Sequence, residues 1–255
     1  MHGIALVTGA RRGIGRAIAL ALAEDGFDVA VNDIAPLPEL LETCLEITRL
    51  GRKSIAISGD LGDAAQHARM LDEAEAGLGP LTTLINNAGV GVINRGDLLE
   101  VSAASYDRCM GVNARGTFFL TQAFAKRLLA RERAAGVHHS IVTVSSANAI
   151  APSVSRGEYC MSKAAASMMS KLFAARLSND GIGVYEIQPG FIETEMTAPA
   201  KARYDGLIAG GMTTIRRWGQ PEEVARIALT LANGLLPYTS GQVVQADGGL
   251  LTVRY

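Results

Sequence analysis

Seven short apolar runs rich in β-branched residues punctuate the chain: IALV at 4–7, DVAVND at 28–33, SIAIS at 54–58, LTTLIN at 81–86, SIVTVSS at 140–146, GVYEIQ at 183–188 and QVVQA at 242–246. Between them lie longer stretches whose apolar positions recur with helical spacing, as in Ile14 to Glu24 and Leu40 to Leu50. Strands alternating with helices predict an α/β fold, a doubly wound and mostly parallel sheet of seven strands with helices on both faces. No charge block, low-complexity tract or linker interrupts the pattern, so residues 1–255 are expected to form a single domain. The least regular stretch is 194–217, where Gly206, Gly210 and Gly211 would let a segment move as a lid over a cleft.

Composition narrows the function classes. Apolar residues make up 48%, charged residues 19%, and there are 28 glycines, which fits a folded domain with many tight turns. The net charge of -1, with no long basic run, removes the electrostatic footprint that a nucleic-acid partner requires. Three cysteines, Cys44, Cys109 and Cys160, share no C-x-x-C spacing, which points to reduced thiols and a cytoplasmic setting. The segment MHGIALVTGA has no basic region ahead of an apolar stretch, and no run approaches the roughly 18 apolar residues of a membrane span. A soluble protein with no membrane partner is expected. His138 and His139, without a nearby cluster of Cys, Asp or Glu, read as a surface loop, and no metal site is expected.

Two constellations carry chemistry. The first run leads into TGARRGIG, in which Gly9, Gly13 and Gly15 follow a strand and open a helix. In that setting, glycines let backbone amides approach a pyrophosphate at the helix N-terminus. Asp33 closes the second strand twenty residues after Gly13, where a carboxylate can accept hydrogen bonds from the ribose hydroxyls of an adenosine. The second constellation is RGEYCMSKAA at 156–165: Tyr159 and Lys163 stand one helical turn apart on one face.

With these in place the chain resembles the short-chain dehydrogenases/reductases, most closely members labelled 3-oxoacyl-(acyl-carrier-protein) reductase. TGARRGIG fits that family's T-G-x-x-x-G-x-G. GDL with Asp60 and Leu61, NNAG at 86–89, Asn113 in NARGTFF, SS at 145–146, YCMSK at 159–163, PGFIET at 189–194 and SGQVVQADGG follow in the family's order. The resemblance implies a single-domain Rossmann fold and an NAD(P)-dependent oxidoreductase that interconverts a ketone and a secondary alcohol by hydride transfer. It implies Tyr159 as general acid/base and a contact of the cofactor, Lys163 as its electrostatic partner and a holder of the nicotinamide ribose, and Ser146 as the hydrogen-bond partner of the substrate oxygen. Asn113 would be the helix-interrupting asparagine on the proton path. A phenol free in water keeps its proton to about pH 10. A lysine ammonium about 5 Å away, at an effective dielectric of ~20, favours the phenolate by roughly 3 kcal/mol.

By the same resemblance Gly9, Arg11, Arg12, Gly13, Ile14 and Gly15 cradle the cofactor, Asp60 and Leu61 flank adenine, and Asn87, Ala88 and Gly89 line the cleft. Pro189, Gly190, Ile192 and Thr194 form the wall that fixes the carboxamide. Asp33 would repel a 2′-phosphate and favours NAD(H), while Arg12 is of the kind that pairs with that phosphate in NADP-dependent members, so NADP(H) stays open.

For substrate the resemblance implies a 3-oxoacyl compound. Two departures argue against an acyl carrier protein: Val137 and Asp180 stand where carrier-dependent members usually present arginines, although Arg131 and Arg133 of RERAAGVHH could substitute. The alternative is an NAD-dependent dehydrogenase of a small polyol, sugar or hydroxy acid. An alternative from another class is a non-catalytic dinucleotide-binding regulator. The family also implies a homotetramer, built on the helices carrying Asn113 and Tyr159.

Overall fold

Each apolar run becomes a strand: β1 (Ile4–Thr8), β2 (Asp28–Asp33), β3 (Ser54–Ser58), β4 (Thr83–Asn86), β5 (His139–Val144), β6 (Ile182–Pro189) and β7 (Val243–Ala246). The computed structural model describes residues 3–35, 38–133 and 135–253. Residues 1, 2, 36, 37, 134, 254 and 255, which include the start of MHGIALVTGA and Ala134 of RERAAGVHH, lie outside the described residues. The strands pair in parallel in the order β3-β2-β1-β4-β5-β6-β7. Parallel strands covered on both faces need apolar side chains on both, which is why the runs are nearly continuous instead of alternating.

Helices α1 (Gly13–Glu24), α2 (Pro38–Arg49), α3 (His67–Leu78), α4 (Ala103–Cys109), α5 (Thr117–Ala130), α6 (Gly157–Leu177), α7 (Lys201–Ala209) and α8 (Pro221–Ala232) complete the fold. They divide the core into two layers. On one face, Ile18 and Leu22 of α1, Leu40 and Ile47 of α2 and Val224 and Leu231 of α8 pack on Val7, Val31 and Val142. On the other, Met70 and Leu71 of α3, Leu120 and Phe124 of α5 and Ala174 and Leu177 of α6 cover Leu6, Leu84 and Ile141. Each fully buried aliphatic side chain contributes about 1.5–3 kcal/mol.

The order of strands reverses between β1 and β4, so their carboxyl ends open a crevice. Thr8 pins that crevice, because its Oγ1 accepts the Asn87 and Ala88 amides at 3.0 and 3.1 Å. The Asn87 side-chain amide donates back to the Thr8 and Gly9 carbonyls at 2.9 and 3.1 Å.

Two details differ from the sequence reading. Strand β5 ends at Val144, so Ser145 and Ser146 lie in the turn beyond it. His139 is the buried first residue of β5 instead of part of a surface loop, with 6% of its surface exposed. His138 sits 3.5 Å from the Tyr185 hydroxyl, and burial pulls the proton affinity of both imidazoles below the ordinary value. The strand extends one residue before the apolar run, and its ladder to Ile182 carries His139 into the interior. Among the described residues, no three His, Cys, Asp or Glu side chains are arranged to hold a metal ion, and no helix is long and apolar enough to cross a membrane.

Candidate active site

The glycine loop forms as its sequence requires. Gly9 and Gly13 have φ of 64° and 54°, in the left-handed region that other residues rarely adopt. A Cβ on Gly9 would lie 2.8 Å from the Ala88 backbone, so this turn has no room for a side chain. Helix α1 then begins with Ile14 and the buried Gly15 in its first turn; Arg12, at its N-cap, gives no side-chain cap, and no acidic residue occupies that turn. The leading amides of α1 are thus suited to an external anion.

Asp33 ends β2, with Oδ1 accepting the Ile34 amide at 2.8 Å and Oδ2 lying 3.8 Å from Arg11 Nε. That nitrogen is buried without a hydrogen-bond partner. The neighbouring Arg12 points elsewhere and forms an ion pair with Glu195, linking the glycine loop to the segment after β6. Asp60 Oδ1 accepts the Gly62 amide at 2.8 Å, and the adjacent Leu61 is buried.

The catalytic candidates meet at the carboxyl ends of β4 and β5. Helix α6 carries Tyr159 and Lys163, and the Lys163 ammonium lies 5.8 Å from the centre of the Tyr159 ring. Lys163 is buried, and its Nζ donates to the Val144 carbonyl at 3.1 Å. Ser146 follows one residue after Ser145, and its Oγ accepts the Asn148 amide at 3.1 Å, which leaves the hydroxyl proton available to a substrate oxygen.

Asn113 lies in a π-helical stretch, Met110–Gly116, between α4 and α5. Such widened turns recur at functional sites because they re-aim a side chain out of the helical ladder. Here Asn113 Oδ1 accepts the Val90 amide at 2.8 Å, while Nδ2 donates to the Val90 carbonyl and to Ser162 Oγ, both at 2.9 Å. Gly89 lets this wall close up, since a Cβ there would lie 3.1 Å from Asn113 Oδ1 and 3.4 Å from Lys163 Nζ.

Behind this cluster is a feature that sequence reasoning missed. Glu186, an acid inside β6 and 1% exposed, accepts from Ser145 Oγ, from Ser167 Oγ at 2.8 Å and from Gln188 Nε2 at 2.8 Å. It thereby joins the residue between Val144 and Ser146 to α6, one turn beyond Lys163. Its only sequence signal was an acidic residue in an otherwise apolar run.

The outer wall comes from the segment after β6. Pro189 ends that strand, the Gly190 amide donates to the Ala246 carbonyl at 3.0 Å, and the buried Ile192 bridges to Gly219. Thr194 and Thr197 hold each other through their hydroxyls, 3.2 Å apart. Phe191 stacks on Tyr204 of α7 with ring centres 4.7 Å apart, and Trp218 meets Tyr204 edge-on while donating from Nε1 to Asp205 at 2.7 Å. The stretch expected to act as a lid therefore folds onto an aromatic cluster. Arg131 and Arg133 turn inward, Arg131 to Glu75 and the Leu81 carbonyl, Arg133 to the Asp180 carbonyl.

Known proteins share this fold. The description of the short chain dehydrogenase family matches residues 3–205. A 2-dehydro-3-deoxy-D-gluconate 5-dehydrogenase from Dickeya dadantii is 31% identical over 97% of this chain and 95% of its own length. A crystal structure of 3-oxoacyl-[acyl-carrier protein] reductase from Brucella melitensis in complex with NAD superimposes with a TM-score of 0.96 at 40% identity, covering 100% of this chain and 99% of that one. A putative 2-deoxy-d-gluconate 3-dehydrogenase from Agrobacterium tumefaciens with bound NADP gives a TM-score of 0.87 at 32% identity, covering 98% and 97%.

Proposed function

The chain belongs to the short-chain dehydrogenase family, and from that premise we propose that it interconverts a ketone and a secondary alcohol with Tyr159 as general acid/base. The observation that carries this reading is the buried Lys163, held by the Val144 carbonyl beside the turn that delivers Ser146, with its ammonium 5.8 Å from the Tyr159 ring. A bound nicotinamide dinucleotide would supply or accept the hydride. The chain's own groups do the rest. Ser146 holds the substrate oxygen, Tyr159 gives it a proton in reduction and takes one in oxidation, and Lys163 stabilises the phenolate electrostatically. Asn113 fixes the wall behind Lys163 and keeps the proton path open.

The residues present fit the dinucleotide. The uncapped start of α1 suits the pyrophosphate, Asp33 the adenosine ribose, Asp60 and Leu61 the adenine, and Ile192 and Thr194 the carboxamide. NAD(H) is favoured over NADP(H), because the Asp33 carboxylate occupies the end of β2 and Arg12 is already paired with Glu195.

For the substrate, the name of the Brucella protein supports a 3-oxoacyl compound. A small polyol, sugar or hydroxy acid is the second reading. It is favoured by Asp33 and by the inward commitment of Arg131 and Arg133, which removes two guanidinium groups from any docking surface for an acidic carrier. A homotetramer in the cytoplasm completes the proposal; Phe119 of α5 and Met161, Met168 and Leu172 of α6 expose apolar surface that such an assembly would cover.

The test is a panel of ketones and alcohols with both cofactors, followed by nicotinamide absorbance, together with light scattering for the assembly. Turnover of at least one pair is expected. Tight NADH binding with no turnover of any member would instead favour the non-catalytic regulator.

A further inference from the structure

Building on the ketone/alcohol reading above, we infer that the substrate is an anion, a short hydroxy or oxo acid whose carboxylate is received by Arg156 and Arg95 at the rim of the cleft. Arg156 immediately precedes α6, three residues before Tyr159, and its guanidinium carbon lies 5.2 Å from the centre of the Tyr159 ring. Its Nε is buried with no hydrogen-bond partner. A buried donor left unpaired is costly, and at a binding cleft it marks a position that a ligand atom can satisfy.

Arg95 reaches the same rim from the loop after β4. It donates from Nη2 to the Tyr204 hydroxyl at 3.1 Å, with its guanidinium carbon 5.7 Å from the centre of that ring. This partner is a phenol hydroxyl, and no carboxylate among the described residues forms an ion pair with Arg95. The Gly96 amide donates to the Ser155 carbonyl at 3.4 Å, which sets the residue after Arg95 against the residue before Arg156. Two guanidinium-bearing segments are thereby joined beside the proposed acid/base.

The carboxylates bonded in the surrounding segments have other partners. Asp97 accepts the Leu99 amide at 2.9 Å, and Glu158 points inward to Ser105 Oγ at 2.5 Å. Asp205 accepts from Trp218, Glu193 pairs with Lys201 at 2.8 Å, and Glu195 pairs with Arg12. Among the described residues no carboxylate forms an ion pair with Arg95 or Arg156, so both guanidinium groups remain open to a carboxylate from outside the chain. A planar guanidinium matches a carboxylate in two parallel hydrogen bonds, which a neutral ester or thioester does not reproduce. Because Arg156 lies so near the Tyr159 ring, the acid group should be only a few carbons from the reacting carbon. It takes no part in the bond changes and serves as the handle that orients the alcohol.

The experiment compares three- to six-carbon hydroxy acids with their amides and with 3-oxoacyl N-acetylcysteamine thioesters, using the full chain with NAD or NADP. Each acid is expected to exceed its amide in kcat/KM by about 100-fold, mostly through KM, as two charge-assisted hydrogen bonds allow. That ratio should fall to within about fivefold in Arg156→Gln combined with Arg95→Gln. Arg156→Lys should retain part of it, since a point charge cannot make the paired contact. Quenching of bound NADH fluorescence by the oxo acids, compared with their amides, gives a binding readout that does not depend on turnover. The exposed Arg95→Gln alone provides an independent arm if Arg156→Gln fails to fold. Equal use of acids and amides, a preference for the thioesters, or an acid preference that survives both substitutions would overturn the inference while leaving the ketone/alcohol reading in place. Undiminished turnover in Tyr159→Phe would overturn the Tyr159 mechanism, and an acid-over-amide preference in that variant that still depends on Arg95 and Arg156 would uphold the acid handle. If no member of any class is turned over, both fall.

Discussion

The inner and outer sides of the cleft are built differently. On the inner side Asn113, Ser145, Lys163 and Glu186 are buried and bonded to other protein groups from four elements. On the outer side Arg95 and Arg156 have no acidic partner among the described residues, and the segment from Phe191 to Trp218 is held by aromatic contacts, exposed ion pairs and backbone hydrogen bonds to Gly219 and Gly248. A proton-transfer centre needs its groups fixed before the reaction, and a closed hydrogen-bond network in low dielectric provides this. A recognition surface needs unsatisfied groups that a ligand completes. The difference suggests that one inner scaffold can serve several substrates through changes at the rim.

The comparison can be broken first at its centre. Replacing Tyr159 with Phe should lower kcat by about 10³-fold while NADH still binds, since the step removed is general acid/base catalysis. Single-turnover kinetics on the best substrate checks it, and an intact rate would remove the inner side's role.

Next in size is Glu186→Ala. It strands the Ser145, Ser167 and Gln188 donors inside the core. A loss of about 3 kcal/mol follows, or roughly 6–12 °C in Tm for a chain of this length. Glu186→Gln keeps an acceptor and should lose less than half of that. Equal Tm values for the two variants by calorimetry would mean that the bulk of the side chain matters and its hydrogen bonds do not.

Asp33→Ala sharpens the cofactor end of the comparison. Removing the carboxylate should move the NAD-to-NADP ratio of kcat/KM by about tenfold toward NADP, because the hydrogen bond from the ribose hydroxyl to Asp33 gives way to an ion pair between an arginine and the 2′-phosphate. The geometry favours Arg11 as the group released, because its Nε lies 3.8 Å from Asp33 while Arg12 is paired with Glu195. Adding Arg11→Ala should therefore cancel the gain. If Arg12→Ala cancels it instead, the pair with Glu195 opens when the cofactor binds.

The smallest effect belongs to the far end of the outer wall. The Arg217 guanidinium, with help from the Gln220 amide, holds the Glu223 carboxyl down from 4.5 to about 2. A depressed carboxyl stabilises the fold in full above its unfolded value and loses that contribution as pH falls, so the window here runs from 4.5 down to about 2. The pair is largely exposed, so Arg217→Ala should lower Tm by no more than about 2 °C at neutral pH, and the gap should close below that window. A gap of undiminished size at pH 2 would assign the effect to packing.

The sheet was legible in the sequence because parallel strands buried on both faces must be apolar almost throughout, and all seven runs emerged as strands. Tyr159 with Lys163, and the glycines with Asp33, were legible because helical spacing and strand-turn-helix order are local properties of the chain. Glu186, the choice between Arg11 and Arg12 beside Asp33, and the meeting of Arg95 with Tyr204 were decided only by the tertiary structure. So was the burial of His139. Each of these depends on partners tens of residues away, brought together by strand register and helix packing. Local pattern determines which element a residue joins, but what its side chain touches depends on how the elements are stacked.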